Sequence, residues 1–568
     1  MFLLKCALAS LLLNIFLTPV SSERILFVLP IATKSHKNVF EPLYKALAAK
    51  GHEVTVVSPV KPSKTSKNIR EIVPVPLKDI FGAFDPFEER KKTLIGQLAT
   101  FAAWDLITGP CIRTYENQEF MGLLNEKWDL VFLNGFVNDC FAGFVYKIGV
   151  PFIMVTSMAT PSYIAELVGN RLPMSFVPIQ SVSGLSDDMN FGQRLLNFCM
   201  GMLFLSLQSF SPVTRRQEDI YRKYLGEDLP GYREIEGNVS MIFSNSYFPL
   251  TYPRPLLPDI VEIGGMHCRP AEPLPKDLND FLTGAEHGFI YFSMGTVLQT
   301  DQMPEAMRQN FLKVFSRLKQ RVIWKWNSGQ MDNIPSNVKL SSWLPQQDIL
   351  GHPNVKIFIT HGGLLSTQEA AYHGVPLLAI PVFADQDLNA QQAVTSGYAL
   401  SLEILDLSEE EIETKINQLI SDPKFYKRAK ELSAVIRDQS ETPLERAVFW
   451  SDPYNTDRFG EACLQKISSF NYFINYHINT SVYKLKTIKM NKIVFIALVV
   501  LAAAVAVMAG GHGNGWDYKT GYAFQAGGQG WGWGHGGGHG WGHGGHSYVY
   551  EHRPISHGWG HGGYGHHG

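Results

Sequence analysis

Residues 343–390, WLPQQDILGHPNVKIFITHGGLLSTQEAAYHGVPLLAIPVFADQDLNA, constrain this chain more than any other stretch. Val355–Thr360 (VKIFIT) is apolar and β-branched, as a buried parallel strand must be. His361-Gly362-Gly363 follows, a tight turn that uses glycine's conformational freedom and leaves backbone N–H groups open. Leu364–His373 has helix-forming content and stops at Gly374-Val375-Pro376, after which Leu377–Pro381 is the next strand. A strand, a glycine turn and a helix N-terminus make a natural phosphate site, because unpaired N–H groups and the helix dipole both favour an anion. Many α/β chains carry such a turn. Trp343-Leu344-Pro345-Gln346 before it, and Glu369, Asp385 and Gln386 after it, make this one specific.

With those flanks the stretch closely resembles, without gaps, the signature of the UDP-glycosyltransferases, and within that family the insect branch. The resemblance implies an α/β protein of the GT-B fold, in which two Rossmann-like parallel-sheet domains face a cleft. It implies transfer of a hexosyl group, glucose by expectation, from a UDP-sugar to a hydroxyl of a small lipophilic acceptor, with inversion. No cofactor or metal beyond the UDP-sugar donor is expected.

The chain has 568 residues, enough for two large domains and more, and 50 basic residues against 52 acidic ones. That balance gives no reason to expect a nucleic acid partner. The six cysteines, at positions 6, 111, 140, 199, 268 and 463, form no CxxC pair, which leaves a zinc ribbon unsupported. They are too few for a disulfide scaffold, although one bridge is compatible with an oxidising compartment. Residues 1–22 read as a secretory signal peptide: Lys5, an apolar run from Ala7 to Leu17, and a Val20-Ser21-Ser22 end. The sequons at Asn238 and Asn479 fit a lumenal chain. The expected compartment is the lumen or membrane of the endoplasmic reticulum; the oligomeric state stays open.

Arg24–Pro30 is a first strand, a helix with Val39, Leu43, Ala46 and Leu47 on one face ends at Gly51, and Glu53–Ser58 is a second strand. This βαβ unit implies a parallel sheet. Trp128–Asn134 and Phe152–Val155 add two more strands. Leu195–Leu207 is apolar but too short to span a bilayer, and reads as a buried helix or a membrane-facing patch. Seven prolines between Pro249 and Pro275 mark the connection between an acceptor domain, 23–250, and a donor domain, 251–450. In the second domain, Gly288–Met294 and Arg321–Trp326 are strands, the first leading into the small turn Ser293-Met294-Gly295-Thr296.

The resemblance assigns roles residue by residue. His36, in the loop after the first strand, matches the catalytic base, and Asp139 is read as its orienting carboxylate, although members with that acid about five residues earlier would place it where this chain has Asn134. Ser293, His361, the N–H groups around Gly363, and Ser366 would hold the diphosphate. Trp343 would stack on uracil, Gln346 would pair with the base edge, Glu369 would accept the ribose hydroxyls, and Asp385 and Gln386 would bind the sugar. His36 would take the acceptor proton while Asp139 steadies the imidazolium. The absence of GxGxxG after the first strand disfavours a nucleotide-sugar epimerase. A donor-binding protein that has lost catalysis is the alternative, against which stand His36, His361, Glu369, Asp385 and Gln386.

Beyond Trp450 the resemblance ends. Residues 451–489 match nothing recognisable. Residues 490–509 hold Met490-Asn491-Lys492 and an apolar run of seventeen, Ile493–Ala509, which reads as a second signal peptide more readily than as an anchor. Lys484, Lys486, Lys489 and Lys492 precede it, the wrong side for an anchored lumenal domain. The tail, 510–568, is rich in glycine, tryptophan and histidine, holds ten of the eighteen histidines and is expected to be disordered. These features suggest a fusion with a structural or metal-binding secreted peptide. Cleavage after Ala509 would expose Gly510-Gly511-His512, where an amine, two amides and the His512 imidazole suit Cu(II) or Ni(II).

Overall fold

The computed structural model describes residues 22–62, 66–81, 85–92, 105–179, 185–210, 212–295, 298, 303–326 and 331–452. The signal-like segment 1–21, Thr296, the second sequon and everything from 453 to His512 and the C-terminus lie outside the described residues.

Thirteen strands form two sheets among the described residues. The first holds β1 (Arg24–Val28), β2 (Glu53–Val57), β3 (Ile69–Ile72), β4 (Leu130–Asn134), β5 (Phe152–Thr156), β6 (Met241–Ser244) and β7 (Ile260–Glu262), in the order β3-β2-β1-β4-β5-β6-β7. The second holds β8 (Phe289–Ser293), β9 (Arg321–Lys325), β10 (Val338–Ser341), β11 (Val355–Thr360), β12 (Leu377–Ala379) and β13 (Ala399–Ser401), in the order β10-β9-β8-β11-β12-β13. Every pairing is parallel. Each sheet starts near its middle, winds outward one way, then returns to wind the other way. The reversal falls between β1 and β4, and between β8 and β11. Ligands in open α/β sheets bind at the carboxyl ends of strands at such a reversal.

Six helices matter below: α1 (Lys34–Ala49), α2 (Pro86–Arg90), α3 (Asp105–Tyr115), α4 (Leu364–His373), α5 (Gln386–Thr395) and α6 (Pro443–Trp450). The continuous apolar runs of the strands follow from burial on both faces. Along β1, Ile25 and Phe27 pack on one side with Val39 and Leu43 of α1, while Leu26 and Val28 pack on the other with Val131 and Leu133. The second sheet repeats this, with Ile290 and Phe292 on one face and Phe289 and Tyr291 on the other. Each such side chain contributes about 1.5–3 kcal/mol by leaving water.

The expected domain limits need correction. The domain boundary does not fall at 250, because Ile260–Glu262 pairs with β6 and completes the first sheet. Nor does the first domain end in sequence there: Ala447 and Val448 of α6 are buried in its core beside α1. The apolar run 195–207 belongs to a helix, Phe191–Phe210, that is not simply buried, since Phe191, Leu195, Phe198 and Met202 are exposed at helical spacing. Among the described residues, no helix is long and apolar enough to cross a membrane.

Candidate active site

The donor half is built on the turn between β11 and α4. Gly362 adopts φ +78°, a conformation side chains resist, and Gly363 sits at the N-cap of α4 with no side chain capping the helix. The first N–H groups of this ten-residue helix are therefore available to an anion. His361 lies between two glycines: a Cβ at Gly363 would come within 2.4 Å of its Nε2, and one at Gly295 within 2.6 Å of its Cε1. Burial, reinforced by Lys325, pushes the His361 imidazole down to about 4, so it is neutral at pH 7 and carries one ring N–H. Ser293, buried at the end of β8, accepts from Gly295 N at 3.3 Å, and Lys325 donates to Gly295 O at 2.7 Å. Lys325 went unassigned in the sequence because a lysine closing a strand has no distinguishing pattern.

At the nucleotide end, Trp343 is 68% exposed, so its indole is open for stacking rather than packed in a core. Gln346 differs from expectation. Its Oε1 accepts from Tyr291 Oη at 2.9 Å, and its Nε2 donates to Ser366 Oγ at 3.0 Å and to Glu369 Oε2. A buried carboxyl group needs donors, and Gln346 supplies one to Glu369 instead of leaving its amide open to a base edge. Burial raises the Glu369 carboxyl to about 7 despite that bond. His267 approaches Glu369 Oε1 at 3.7 Å, but burial holds its imidazole near 4, so the contact is not an ion pair at neutral pH. His267 Nε2 lies 3.2 Å from Leu365 O, and since a carbonyl only accepts, the proton is on that nitrogen.

The third group lies where β12 runs into α5. Ala384 is held at φ +60°, unusual for a residue with a side chain. Gln386 Oε1 accepts from Val382 N at 2.9 Å and from Phe383 N at 3.2 Å, which closes the loop on itself. Asp385 stands at the N-cap position of α5 without capping it through its side chain, which accepts from Asn389 Nδ2 at 2.9 Å; burial raises its carboxyl. Asp385 and Asn389 line a cleft together with Met158, Tyr252, Arg254 and Leu364, so both halves of the chain contribute to it. Arg254 is a further cleft residue that the proline-rich connection concealed. Burial lowers its guanidinium to about 10, and its bonds to Tyr252 O and Thr160 O are long, 3.4 Å each.

Across the cleft, His36 sits in the first turn of α1, where Thr33 caps the helix by accepting from His36 N. Its ring meets Phe136 edge-on at 5.6 Å, its Nδ1 is buried without a hydrogen-bond partner, and burial lowers it to about 4. Lys34, two residues before His36, depresses the Lys325 ammonium, after burial itself. Asp139 is not brought to His36. Its side chain is hydrogen-bonded with Glu236 near Arg233, and burial raises both carboxyl groups. The reason is local. Asn138 takes the place facing β1, accepting from Ile31 N at 3.1 Å and donating to Ile31 O at 2.8 Å. The next residue therefore turns away, and the tight turn that reverses it is marked by Val137 at φ +57°. Asn134 also donates to Ile31 O, at 3.4 Å, and is not an acid in another guise.

A family profile described as "UDP-glucoronosyl and UDP-glucosyl transferase" matches residues 25–454. The chain is 32% identical over 466 residues to UDP-glucosyltransferase 2 of Dactylopius coccus, covering 82% of this chain and 90% of that protein. It is 32% identical over 438 residues to UDP-glucuronosyltransferase 2B15 of Rattus norvegicus, covering 73% and 81%. Among solved structures, the glycosyltransferase of kitacinnamycin superposes with a TM-score of 0.52 at 16% identity, over 76% of this chain and 99% of that one. The glycosyltransferase VinC, in complex with dTDP, superposes with a TM-score of 0.50 at 17% identity, over 77% and 100%.

Proposed function

The chain belongs to the UDP-glucuronosyl and UDP-glucosyl transferase family and is a UDP-glycosyltransferase of the GT-B fold; from that premise we propose that it transfers glucose from UDP-glucose to a hydroxyl of a small lipophilic acceptor, with inversion and with His36 as general base. The observation that carries the reading is that each reversal point holds one half of the chemistry: a neutral, enclosed His36 with an unpaired Nδ1 at the first, and the uncapped N-terminus of α4 with His361 and Lys325 at the second. His36 accepts the hydroxyl proton as the acceptor oxygen attacks the anomeric carbon, and the bond from that carbon to the UDP oxygen breaks. The N–H groups of α4, His361 and Lys325 take up the charge on UDP, a donor set that calls for no metal. Trp343 stacks on the uracil, Ser293 and Ser366 approach the phosphates, and Glu369 takes the ribose. Asp385 and Gln386 take the sugar. Asp139, bonded with Glu236, is left out of this mechanism.

We place the enzyme in the secretory pathway. The signal-like N-terminus, the exposed sequon residue Asn238 and a Cys111–Cys140 disulfide support this. The exposed stripe Phe191, Leu195, Phe198 and Met202 supports contact with a lipid surface, which would also suit apolar acceptors.

The test is UDP release and product analysis with UDP-glucose and UDP-glucuronate against a panel of phenols and aliphatic alcohols. We expect acceptor-dependent turnover that prefers UDP-glucose and falls at least a hundredfold in His36→Ala, with UDP affinity unchanged. Turnover preferring UDP-glucuronate would overturn the donor assignment. Tight UDP binding without transfer to any acceptor would favour a donor-binding protein that has lost catalysis.

A further inference from the structure

We propose that Arg90 is a positioning residue for donor-sugar recognition: it reaches from the acceptor half of the chain and fixes the loop that carries Asp385 and Gln386. The inference rests on the reading of that loop as the sugar site.

Arg90 ends α2, a short helix whose chain position, between β3 and β4, assigns it to the first domain. Asp85 caps it by accepting from Phe87 N and Glu88 N. The helix nevertheless docks on the second domain, where Phe87 is buried in the same core as Phe292, Trp324 and Leu402. That contact places Arg90 against two carboxylates. Nη1 donates to Asp387 Oδ2 at 2.7 Å and Nη2 to Asp387 Oδ1 at 3.0 Å. Nε donates to Glu403 Oε1 at 3.2 Å and Nη2 to Glu403 Oε2 at 2.7 Å. The Arg90, Asp387 and Glu403 side chains are only 11%, 13% and 22% exposed, so solvent screens the triad little. A planar guanidinium engaging two carboxylates by fork contacts fixes direction as well as distance, which a lysine cannot do.

What the triad holds is the first turn of α5. Asp387 lies two residues beyond Asp385 and follows Gln386 directly. The loop before it is bent by Ala384 at φ +60° and closed by the Gln386 bonds to Val382 N and Phe383 N. Those constraints are internal to the loop. Arg90 adds one from the other half of the chain, and so links the placement of the sugar ligands to the half that carries His36. Removing Arg90 would leave Asp387 and Glu403 as neighbouring, largely enclosed carboxylates without their shared cation, and the start of α5 would move away from Glu403. A displacement of about 1 Å is enough to cost a positioned group most of its effect.

The discriminating measurement is the affinity for UDP-glucose beside that for UDP, which lacks the sugar, using the full chain. In Arg90→Ala, the Kd for UDP-glucose should rise about tenfold while that for UDP stays within twofold. The ratio of UDP-glucose hydrolysis to transfer should also rise, since a loosely held sugar meets water more readily than acceptor. Arg90→Lys should fall between wild type and Arg90→Ala. The exchange Arg90→Asp with Asp387→Arg should recover at least half of the lost discrimination. If Arg90→Ala does not fold, Asp387→Asn, which leaves Glu403 to hold Arg90, should still weaken UDP-glucose selectively. Equal weakening of both ligands, or a lower melting temperature with both affinities unchanged, would make Arg90 a structural tie and overturn the proposal. Asp385→Asn separates the two levels. If it spares UDP-glucose relative to UDP, the sugar-site reading fails and takes the proposal with it. If it weakens UDP-glucose while the Arg90 variants do not, the positioning role alone fails.

Discussion

His36, His267, His361 and His373 share one fate: burial lowers each imidazole to about 4 from an ordinary 6.5. The folded chain therefore binds fewer protons than the unfolded chain between those values. Stability contributed by keeping these groups neutral is present above pH 6.5 and is lost as pH falls toward 4, on the order of 3 kcal/mol for a fully enclosed imidazole and less for the partly exposed His373. Glu369 runs the other way, with a carboxyl raised to about 7, so its contribution is present below 4.5 and fades as pH rises through 7. Melting temperature recorded from pH 7.5 to 4.5 should fall steadily below 6.5, and the acid limb of kcat/KM should lie below pH 5. An acid limb near 6.5 would mean that His36 titrates as an exposed imidazole does. At this scale the sequence was partly legible. His36 and His361 could be found because each follows a strand at a reversal point. The direction of Asp139 could not, since a short turn decides whether residue 138 or 139 faces β1, and Asn138 wins by two bonds to Ile31. The bond from Gln346 was hidden for a related reason: its partner Glu369 lies 23 residues away and meets it only in the fold.

Among the elements, α4 and its glycine turn were the most legible. Strand, turn, helix and helix stop are all written in local residue choice, and the observed helix is Leu364–His373 as the sequence implies. The disulfide was not legible, because six cysteines with no motif define no pairing. The structure joins Cys111 of α3 to Cys140, 29 residues on, in the turn that also holds Asn138 and Asp139. By closing that loop the bridge should add about 3–4 kcal/mol through the unfolded state. It also pins the turn whose Asn138 fixes Ile31, three residues past β1 and five before His36. Cys111→Ser with Cys140→Ser should therefore lower the urea midpoint and reduce kcat more than it raises KM for UDP-glucose. Treatment of the wild type with reductant should reproduce both effects. A midpoint indifferent to reductant and to the substitutions would show that the bridge contributes nothing to the folded enzyme.

At the scale of the molecule, two sheets wind in the same order and each contributes one edge to the cleft, which the alternation of strands and helices in the sequence made readable. The return of the chain was hidden. Nothing in Pro443–Trp450 announces that it packs with α1, some four hundred residues earlier, because an apolar helix face does not name its partner. Yet Ala447 and Val448 are buried in the core of the first sheet, and Arg446 Nη1 donates to Glu262 O of β7 at 2.9 Å. Thr442 and Glu445 form a reciprocal cap that fixes where this helix begins. The helix therefore closes the first domain although it follows the second in sequence, and it should be required for both. A chain ending at Asp452 keeps every one of these contacts, and it should melt within about 2 °C of the full chain and retain its kcat, since 2 °C corresponds to about 2 kcal/mol in a protein of this size. A chain ending at Thr442 loses the two buried side chains and the bond to β7, opens the apolar surface of α1 to water, and should lose several kcal/mol together with most activity. Thermal melts and UDP release on the two truncations decide the matter. If the shorter one behaves as the longer, α6 merely rests on the first domain. If the longer one already fails, residues beyond 452 belong to the enzyme.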